Sequence, residues 1–285
     1  MHPGRRRFVG FAGTAMASAM ALSLAPRATR AAGPEADLWP RWEAHDPGST
    51  ARIDHAKWRR FLLAYLEADH NGINRVRYGA VSKTDRRNLD GYVISLTALP
   101  IAAYDRDQQF AYWINLYNAV TMQVVLDHYP VKSIMDISIS PGLFSFGPWG
   151  KKLVTIDGEE LSLDDIEHRI LRPVWRDPRI HYAVNCAAVG CPNLRRLPFT
   201  GVNVEALLTI AAKDYVNHPR GAVLRDDELH VSSLYSWYAE DFGGSDAAII
   251  GHLRGYAKPQ LTLALAGIDE ISGTDYDWSL NDSAD

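Results

Sequence analysis

Residues 105–129 read DRDQQFAYWINLYNAVTMQVVLDHY, and this segment decides the fold. It is long enough for roughly five helical turns or more, and its middle is apolar on nearly every side. A helix without a polar face is covered on all sides by the rest of its domain. Pro130 ends the segment. The sequence therefore predicts a long central helix, buried in the middle of the fold.

Shorter helices and hairpins flank this segment. Hydrophobic spacing predicts helices over 54–67, 84–99, 162–171, 204–216, 234–242 and 247–256, and turn residues predict hairpins over 152–161 and 222–231. Residues 180–184 are predicted to form a short apolar strand. Because helices and hairpins are grouped rather than alternating, the fold class is α+β. We expect a single domain with several packing helices and a small, mainly antiparallel sheet around the buried helix.

The first 31 residues have the pattern of an export signal peptide. Three arginines at 5–7 precede an uncharged, mildly apolar stretch over 8–25, and small residues surround a cleavage position near Ala31. The sequence RRRFV at 5–9 fits a twin-arginine signal, and an ordinary secretory signal with an extra arginine is the alternative. We expect a bacterial protein that is exported and located in the periplasm.

The export signal hides the acidic character of the rest of the chain. The 285 residues include 30 basic and 34 acidic side chains. Residues 1–31 hold five of the arginines and no acidic residue, which leaves 25 basic against 34 acidic side chains, a net charge near −9. This balance argues against nucleic-acid binding, which needs a cationic surface.

The rest of the chain is predicted to be one domain without a membrane span. No later window holds the roughly 18 uncharged apolar residues that a span requires. An irregular lead-in is expected over 32–52 and a single domain over 53–285. The predicted partner is a small molecule or a protein whose identity the sequence does not specify.

Asn115 and Asn118 lie three residues apart on one face of the central helix. A buried carboxamide is costly unless its donors and acceptors are paired. We expect both side chains to be buried and to hold the backbone of the loop at 185–192. The alternative is that one of them donates a hydrogen bond to an oxyanion in catalysis.

Cys186 and Cys191 permit three interpretations. Cys186 could be the nucleophile of a hydrolase or acyltransferase, with His168 or His181 as the base. Glu167 would then orient the imidazole. The two thiols could form a redox pair, although such sites commonly have two intervening residues. The third interpretation is a structural disulfide in a domain that binds a ligand or partner. Because no further ligands accompany the thiols, we expect no metal site, and no cofactor is predicted.

The candidate residues are predicted to converge on one concave site. Ser162 begins a helix with a capping box, so His168 lies in the second turn, where Asp164 shares its face. Consecutive elements are usually neighbours in space, which brings Cys186 to the same place. Glu167 and the two asparagines are expected to join them there.

Six short motifs occur along the chain in a fixed order. They are YWINLYNA at 112–119, HYPVKSI at 128–134, DIEH at 165–168, HYAVNCA at 181–187, GCP at 190–192 and DWSLN at 277–281. Together they resemble the bacterial domain of unknown function 547 family, over about residues 61–281. The resemblance implies one domain with the fold of that family, and it implies no particular reaction.

Overall fold

The computed structural model describes Met1 and residues 33–142 and 146–283. The described residues from Gly33 onward form one compact unit. The predicted export signal at 1–31 lies, apart from Met1, outside the described residues. Among the described helices, none is both long enough and apolar enough to cross a membrane.

The central helix is present as predicted. The described α-helices are α1 (Ala56–Tyr65), α2 (Lys83–Thr97), α3 (Arg106–His128), α4 (Arg172–Trp175), α5 (Val204–Val216), α6 (Leu234–Trp237), α7 (Asp246–Tyr256) and α8 (Pro259–Ala264). Helix α3 begins where the Asp105 side chain accepts a hydrogen bond from the Gln108 backbone N–H. Nearly every residue of its middle is buried, and α2 and α5 pack against it.

Three small sheets replace the single sheet that was expected. The strands are β1 (Leu66–Ala68), β2 (Asn74–Val76), β3 (Val154–Ile156), β4 (Glu159–Leu161), β5 (Ala222–Arg225), β6 (Glu228–Ser232) and β7 (Gly273–Asp275). They pair as β1–β2, β3–β4 and β5–β6–β7, antiparallel except for the parallel pair β6–β7. Both predicted hairpins turn through residues with positive φ, Asp157-Gly158 and Asp226-Asp227, as the twist of two strands requires. The α+β class is therefore confirmed.

The predicted strand at 180–184 is wrong. Pro178–Tyr182 form a 3₁₀ helix, capped by the Asp177 side chain, which accepts from the Arg179 N–H. No described strand pairs with this segment. The predicted helix over 234–242 is also interrupted, because Tyr238 leaves helical geometry between α6 and a second 3₁₀ helix, Ala239–Phe242.

The two ends of the described unit bind backbone groups of the central part of the chain. In the lead-in, the Asp37 N–H donates to the His168 carbonyl and the Trp39 N–H to the Arg169 carbonyl. At the other end, Leu280 pairs with Ala188 in an isolated β-bridge. The termini of the unit therefore hold the segments that carry the candidate site residues.

Candidate functional site

A cavity of about 710 Å³ opens beside the helix that follows β4. Its titratable lining includes Asp164, Glu167, His168 and His181, and its wall includes the Cys186–Cys191 loop. None of the described lining residues is a lysine or an arginine. The large aromatic side chains in the wall are Tyr117, Phe146, Trp149, Trp237, Tyr238, Tyr276 and Trp278. A volume of this size, with a few polar groups among apolar ones, is typical of a small-molecule site.

The helix beside the cavity is a π-helix over Asp165–Leu171 that continues into α4. The predicted capping box is present, because Ser162 N–H donates to Asp165 Oδ2 (2.8 Å) and Asp165 N–H donates to Ser162 Oγ (3.1 Å). The Arg172 N–H donates to the Glu167 carbonyl, five residues back. A π-turn is rare and is frequent at functional sites. Here it presents the consecutive residues Glu167 and His168 to the same cavity.

His181 lies between two carboxylates. Its Nε2 is 2.6 Å from Asp241 Oδ2, and its Nδ1 is 3.6 Å from Glu167 Oε1. Burial lowers the pKa of His181, but the hydrogen bond to Asp241 and the charge of Glu167 outweigh burial and raise it above the ordinary value. Burial raises the pKa of Glu167, yet the neighbouring imidazoles and the Tyr117 hydroxyl bring it down to about 2. Two carboxylates on either side of the ring favour its protonated form, the imidazolium.

His168 has a neutral imidazole whose tautomer the structure determines. Arg172 Nη1 lies 3.1 Å from His168 Nδ1, and a guanidinium can only donate. Nδ1 therefore accepts, and the ring proton is on Nε2, which lies 3.6 Å from Asp164 Oδ1. Burial and the charge of Arg172 lower the pKa of His168 more than Glu167 raises it. His168 thus turns an N–H toward the cavity and keeps no free lone pair.

Arg172 joins these groups to one another. Its Nε donates to Asp241 Oδ2 (2.6 Å), and Nη2 donates to Asp241 Oδ1 (3.2 Å). Its Nη1 also donates to the Pro34 carbonyl (2.6 Å), and its guanidinium lies 4.8 Å from the centre of the Tyr238 ring. The Tyr238 ring stacks on His181 at 4.1 Å. Arg172 contacts His168 and Asp241 contacts His181, so the Arg172–Asp241 ion pair connects the two imidazoles.

Cys186 and Cys191 form a disulfide in the wall of the cavity. Neither sulfur is a free thiol, and the Tyr276 hydroxyl lies 3.2 Å from the Cys186 sulfur and 3.1 Å from that of Cys191. Asn185 supports the loop, since its side chain donates to the Pro192 carbonyl (2.7 Å) and accepts from the Ala187 N–H (2.9 Å). The disulfide is one of the three arrangements that the sequence left open.

Asn115 and Asn118 are buried and bind backbone, as predicted, but they do not line the cavity. Asn118 donates to the Ala183 carbonyl (2.9 Å) and accepts from the Asn185 N–H (2.8 Å), at the start of the expected loop. Asn115 binds the carbonyl and the N–H of Phe199 instead (2.7 and 3.1 Å). Both amides are committed to these clamps, so the predicted convergence is correct for Glu167, His168 and Cys186 and wrong for the asparagines.

Several residues of the site were missed from the sequence. Arg172 lies four residues after His168 on the same helix, and this spacing was a usable signal. Asp241 and Tyr238 belong to a segment that carries no local sign of a site. Tyr276 and Trp278 reach the cavity from the C-terminal tail, as a consequence of tertiary structure alone.

Comparison with known proteins identifies the domain. Across residues 33–142 and 146–283, no three histidine, cysteine or carboxylate side chains are arranged to hold a metal ion. No curated protein and no solved structure matches the chain. Residues 101–216, which include α3, the π-helix and the disulfide loop, match the sequence profile described as "Protein of unknown function, DUF547". The chain therefore contains a domain of the DUF547 family.

Proposed function

We propose that this protein binds a small ligand in the cavity beside the π-helix, with the Cys186–Cys191 disulfide as a structural part of the wall. The observation that carries the proposal is the lining itself. A partly exposed carboxylate, Asp164, and an imidazole N–H, that of His168, line one cavity of about 710 Å³ together with indole and phenol rings. A ligand site requires a small number of precisely placed polar groups within an apolar wall.

The protonation of the two imidazoles favours binding over thiol catalysis. A catalytic base must offer a lone pair to the proton of the thiol. In His168 the Nδ1 lone pair accepts from Arg172, and Nε2 carries the proton. In His181 both ring nitrogens face carboxylates, and the pKa is raised above its ordinary value, which favours the protonated ring over a free base. The bonded sulfur of Cys186 offers no thiolate. The two imidazoles are therefore arranged as hydrogen-bond donors to a ligand, and the disulfide forms part of the cavity wall.

A screen with a blocked cavity tests this proposal. Gly150 lines the cavity, and a Cβ there would meet only ordinary contacts, 3.5 Å or more from the nearest atoms. A side chain can therefore start at this position, and Gly150→Leu should occupy part of the cavity. The matched control is Gly251→Leu, on an exposed position of α7 with open space around it.

Thermal shift measurements would use choline, glucose and acetate as probes of cationic, neutral and anionic ligands. At least one probe should raise the melting midpoint of the wild type and of Gly251→Leu, and raise that of Gly150→Leu less. A panel without any stabilising probe, or one that stabilises Gly150→Leu equally, would contradict binding in this cavity.

A thiol-dependent hydrolase or acyltransferase is the second candidate, and a thiol oxidoreductase is the third. The supporting observation is that Cys186 shares its cavity with His168 and His181. If the reduced protein is a hydrolase, Cys186→Ser abolishes hydrolysis of a p-nitrophenyl ester while Cys191→Ser retains it. Equal residual rates in both variants would remove this candidate. A redox role instead requires thiol–disulfide exchange with a glutathione buffer that both substitutions abolish.

We further propose that the protein is exported to a bacterial periplasm. The arginines at 5–7 before an uncharged stretch support export, and a disulfide persists in an oxidising compartment. The mature protein should begin near Ala32, and a double change of Arg5 and Arg6 to lysine should block export by the twin-arginine route. Periplasmic protein that still contains residues 1–20 would contradict cleavage.

A further inference from the structure

The carboxylates in and beside the cavity wall are not all paired with a cation. Asp241 is paired with Arg172 and His181, and Glu167 faces His181 as well. Asp164 has the neutral His168 at 3.6 Å, and the cation in its neighbourhood, Lys152, is paired with Asp165. The described part of the cavity therefore carries one carboxylate, that of Asp164, whose charge is not matched by a cation of its own.

Aromatic rings form a wall of the same cavity. Trp237, Tyr276 and Trp278 contact one another with ring centroids 4.7 to 5.4 Å apart. Trp149 lies 5.8 Å from Trp278. Ring faces attract a cation without forming hydrogen bonds, and clusters of them are the usual site for quaternary ammonium groups. A carboxylate that lines the same cavity as such a cluster, as Asp164 does, favours a positively charged ligand over a neutral one.

A buried polar atom in the wall, His181 Nδ1, contacts Glu167 only at 3.6 Å, which is too long for a hydrogen bond. His181 is 1% exposed, and its Nδ1 has no hydrogen-bond partner among the described residues. Because Glu167 Oε1 lies 3.6 Å away, a hydroxyl group between them could accept from Nδ1 and donate to the carboxylate. Asp164 and Glu167 are three residues apart, so the positions of the cation and of the hydroxyl are neighbours.

We propose that the cavity binds a hydroxylated ammonium compound, with its cationic group against Asp164 and the tryptophan rings and its hydroxyl between His181 and Glu167. The inference rests on the ligand-binding function proposed above and specifies the ligand class. It distinguishes this ligand from sugars, which the rings alone would also suit, and from anions, which the uncompensated carboxylate repels.

The affinity should depend on the ionisation of Asp164. Burial, followed by the charges of Glu167 and Asp165, raises the pKa of Asp164 to about 6, while Lys152 lowers it. The other titratable groups near this carboxylate are His168, Tyr117 and Tyr238. A cation binds the ionised carboxylate, so choline should bind about tenfold more weakly at pH 5 than at pH 7.5. A neutral ligand should lack this dependence.

Isothermal titration calorimetry with two isosteric probes tests the inference. Choline carries a trimethylammonium group, and 3,3-dimethylbutan-1-ol replaces its nitrogen with carbon at the same shape. Choline should bind the wild type at least about tenfold more tightly than the alcohol. Asp164→Asn should remove most of this difference. Glu160→Gln, an exposed carboxylate on β4 outside the cavity, should preserve it.

Each contrary result identifies what has failed. Equal affinities for the two probes, or unchanged choline affinity in Asp164→Asn, would overturn the ammonium class while cavity binding stands. Tetramethylammonium that binds as tightly as choline would overturn the role of the hydroxyl. If choline does not bind but glucose or acetate gives a shift that Gly150→Leu weakens, the ligand class is wrong and the binding function is retained.

Discussion

Replacing Asn118 with leucine tests whether α3 holds the disulfide loop in place. The side chain is 3% exposed and binds two backbone groups, the Ala183 carbonyl at 2.9 Å and the Asn185 N–H at 2.8 Å. Both groups belong to the segment that leads into Cys186. Leucine has a similar size and no polar atoms, so both would lose their partner without a large change in volume.

The expected cost follows from these two hydrogen bonds. A buried group left without a partner costs about 1–3 kcal/mol, so the pair costs about 4 kcal/mol. A buried leucine side chain recovers about 2 kcal/mol through the hydrophobic effect. The net loss of unfolding free energy should therefore be about 2 kcal/mol, or about 4–8 °C in melting midpoint for a domain of this size.

Urea unfolding followed by circular dichroism measures this loss. The matched control is Asn88→Leu, at an exposed position of α2 where the change should stay within about 0.5 kcal/mol. If Asn118→Leu unfolds at the same urea concentration as the control, Asn118 does not clamp the segment before Cys186.

Three further predictions concern the disulfide in the cavity wall and the ion pairs of Asp241 and Arg172. Cys186→Ser and Cys191→Ser should each lower the unfolding free energy by about 2 kcal/mol, since both open the same short loop; unequal losses in urea unfolding would contradict a structural disulfide. Asp241→Asn should cost more stability at pH 5.5 than at pH 8.5. The pKa of His181 is raised in the folded protein, so its contact with Asp241 stabilises the fold fully below the ordinary imidazole pKa. This stabilisation is lost as the pH rises through the pKa of the folded state. If Asp241→Asn lowers the unfolding free energy equally at both pH values, the ring is not charged in the contact. Arg172→Met should cost about 3–5 kcal/mol by leaving a carboxylate without its cation, and a loss below about 1 kcal/mol in thermal unfolding would refute the pairing.

The helices and hairpins of this fold could be predicted because local chemistry determines them. The apolar surface of residues 105–129 required cover on every side, and α3 is buried along nearly all of its middle. Asp157-Gly158 and Asp226-Asp227 tolerate the positive φ values of a tight hairpin, and both turns lie at the predicted positions. The ends of the predicted helices α1, α2 and α3 agree with the structure within about two residues.

The strand predicted at 180–184 failed because a strand depends on its neighbour. The apolar run suits a strand and a short buried helix equally. In the structure Asn118 binds the Ala183 carbonyl and the Asn185 N–H, which a neighbouring strand would otherwise have paired. The side chain that replaced the sheet partner lies more than sixty residues earlier in the chain.

The candidate site was partly visible in the sequence. Glu167, His168 and Asp164 share one helix, and their spacing predicted that they meet. The partners that set their protonation are distant in the chain. Asp241 lies 60 residues from His181 and raises its pKa, while Arg172 contributes to lowering the pKa of His168.

The sequence by itself determined the elements, since helix caps, turn residues and apolar periodicity act over a few residues. It also determined the acidic charge, the pair of cysteines and the cluster on the helix that follows β4. Only the tertiary structure decided that the asparagines lie outside the cavity, that Trp237 and Trp278 line it together with Asp164, and that Arg172 takes the lone pair of His168. Protonation and cavity shape depend on which distant groups are buried together, and that is a property of the packed chain.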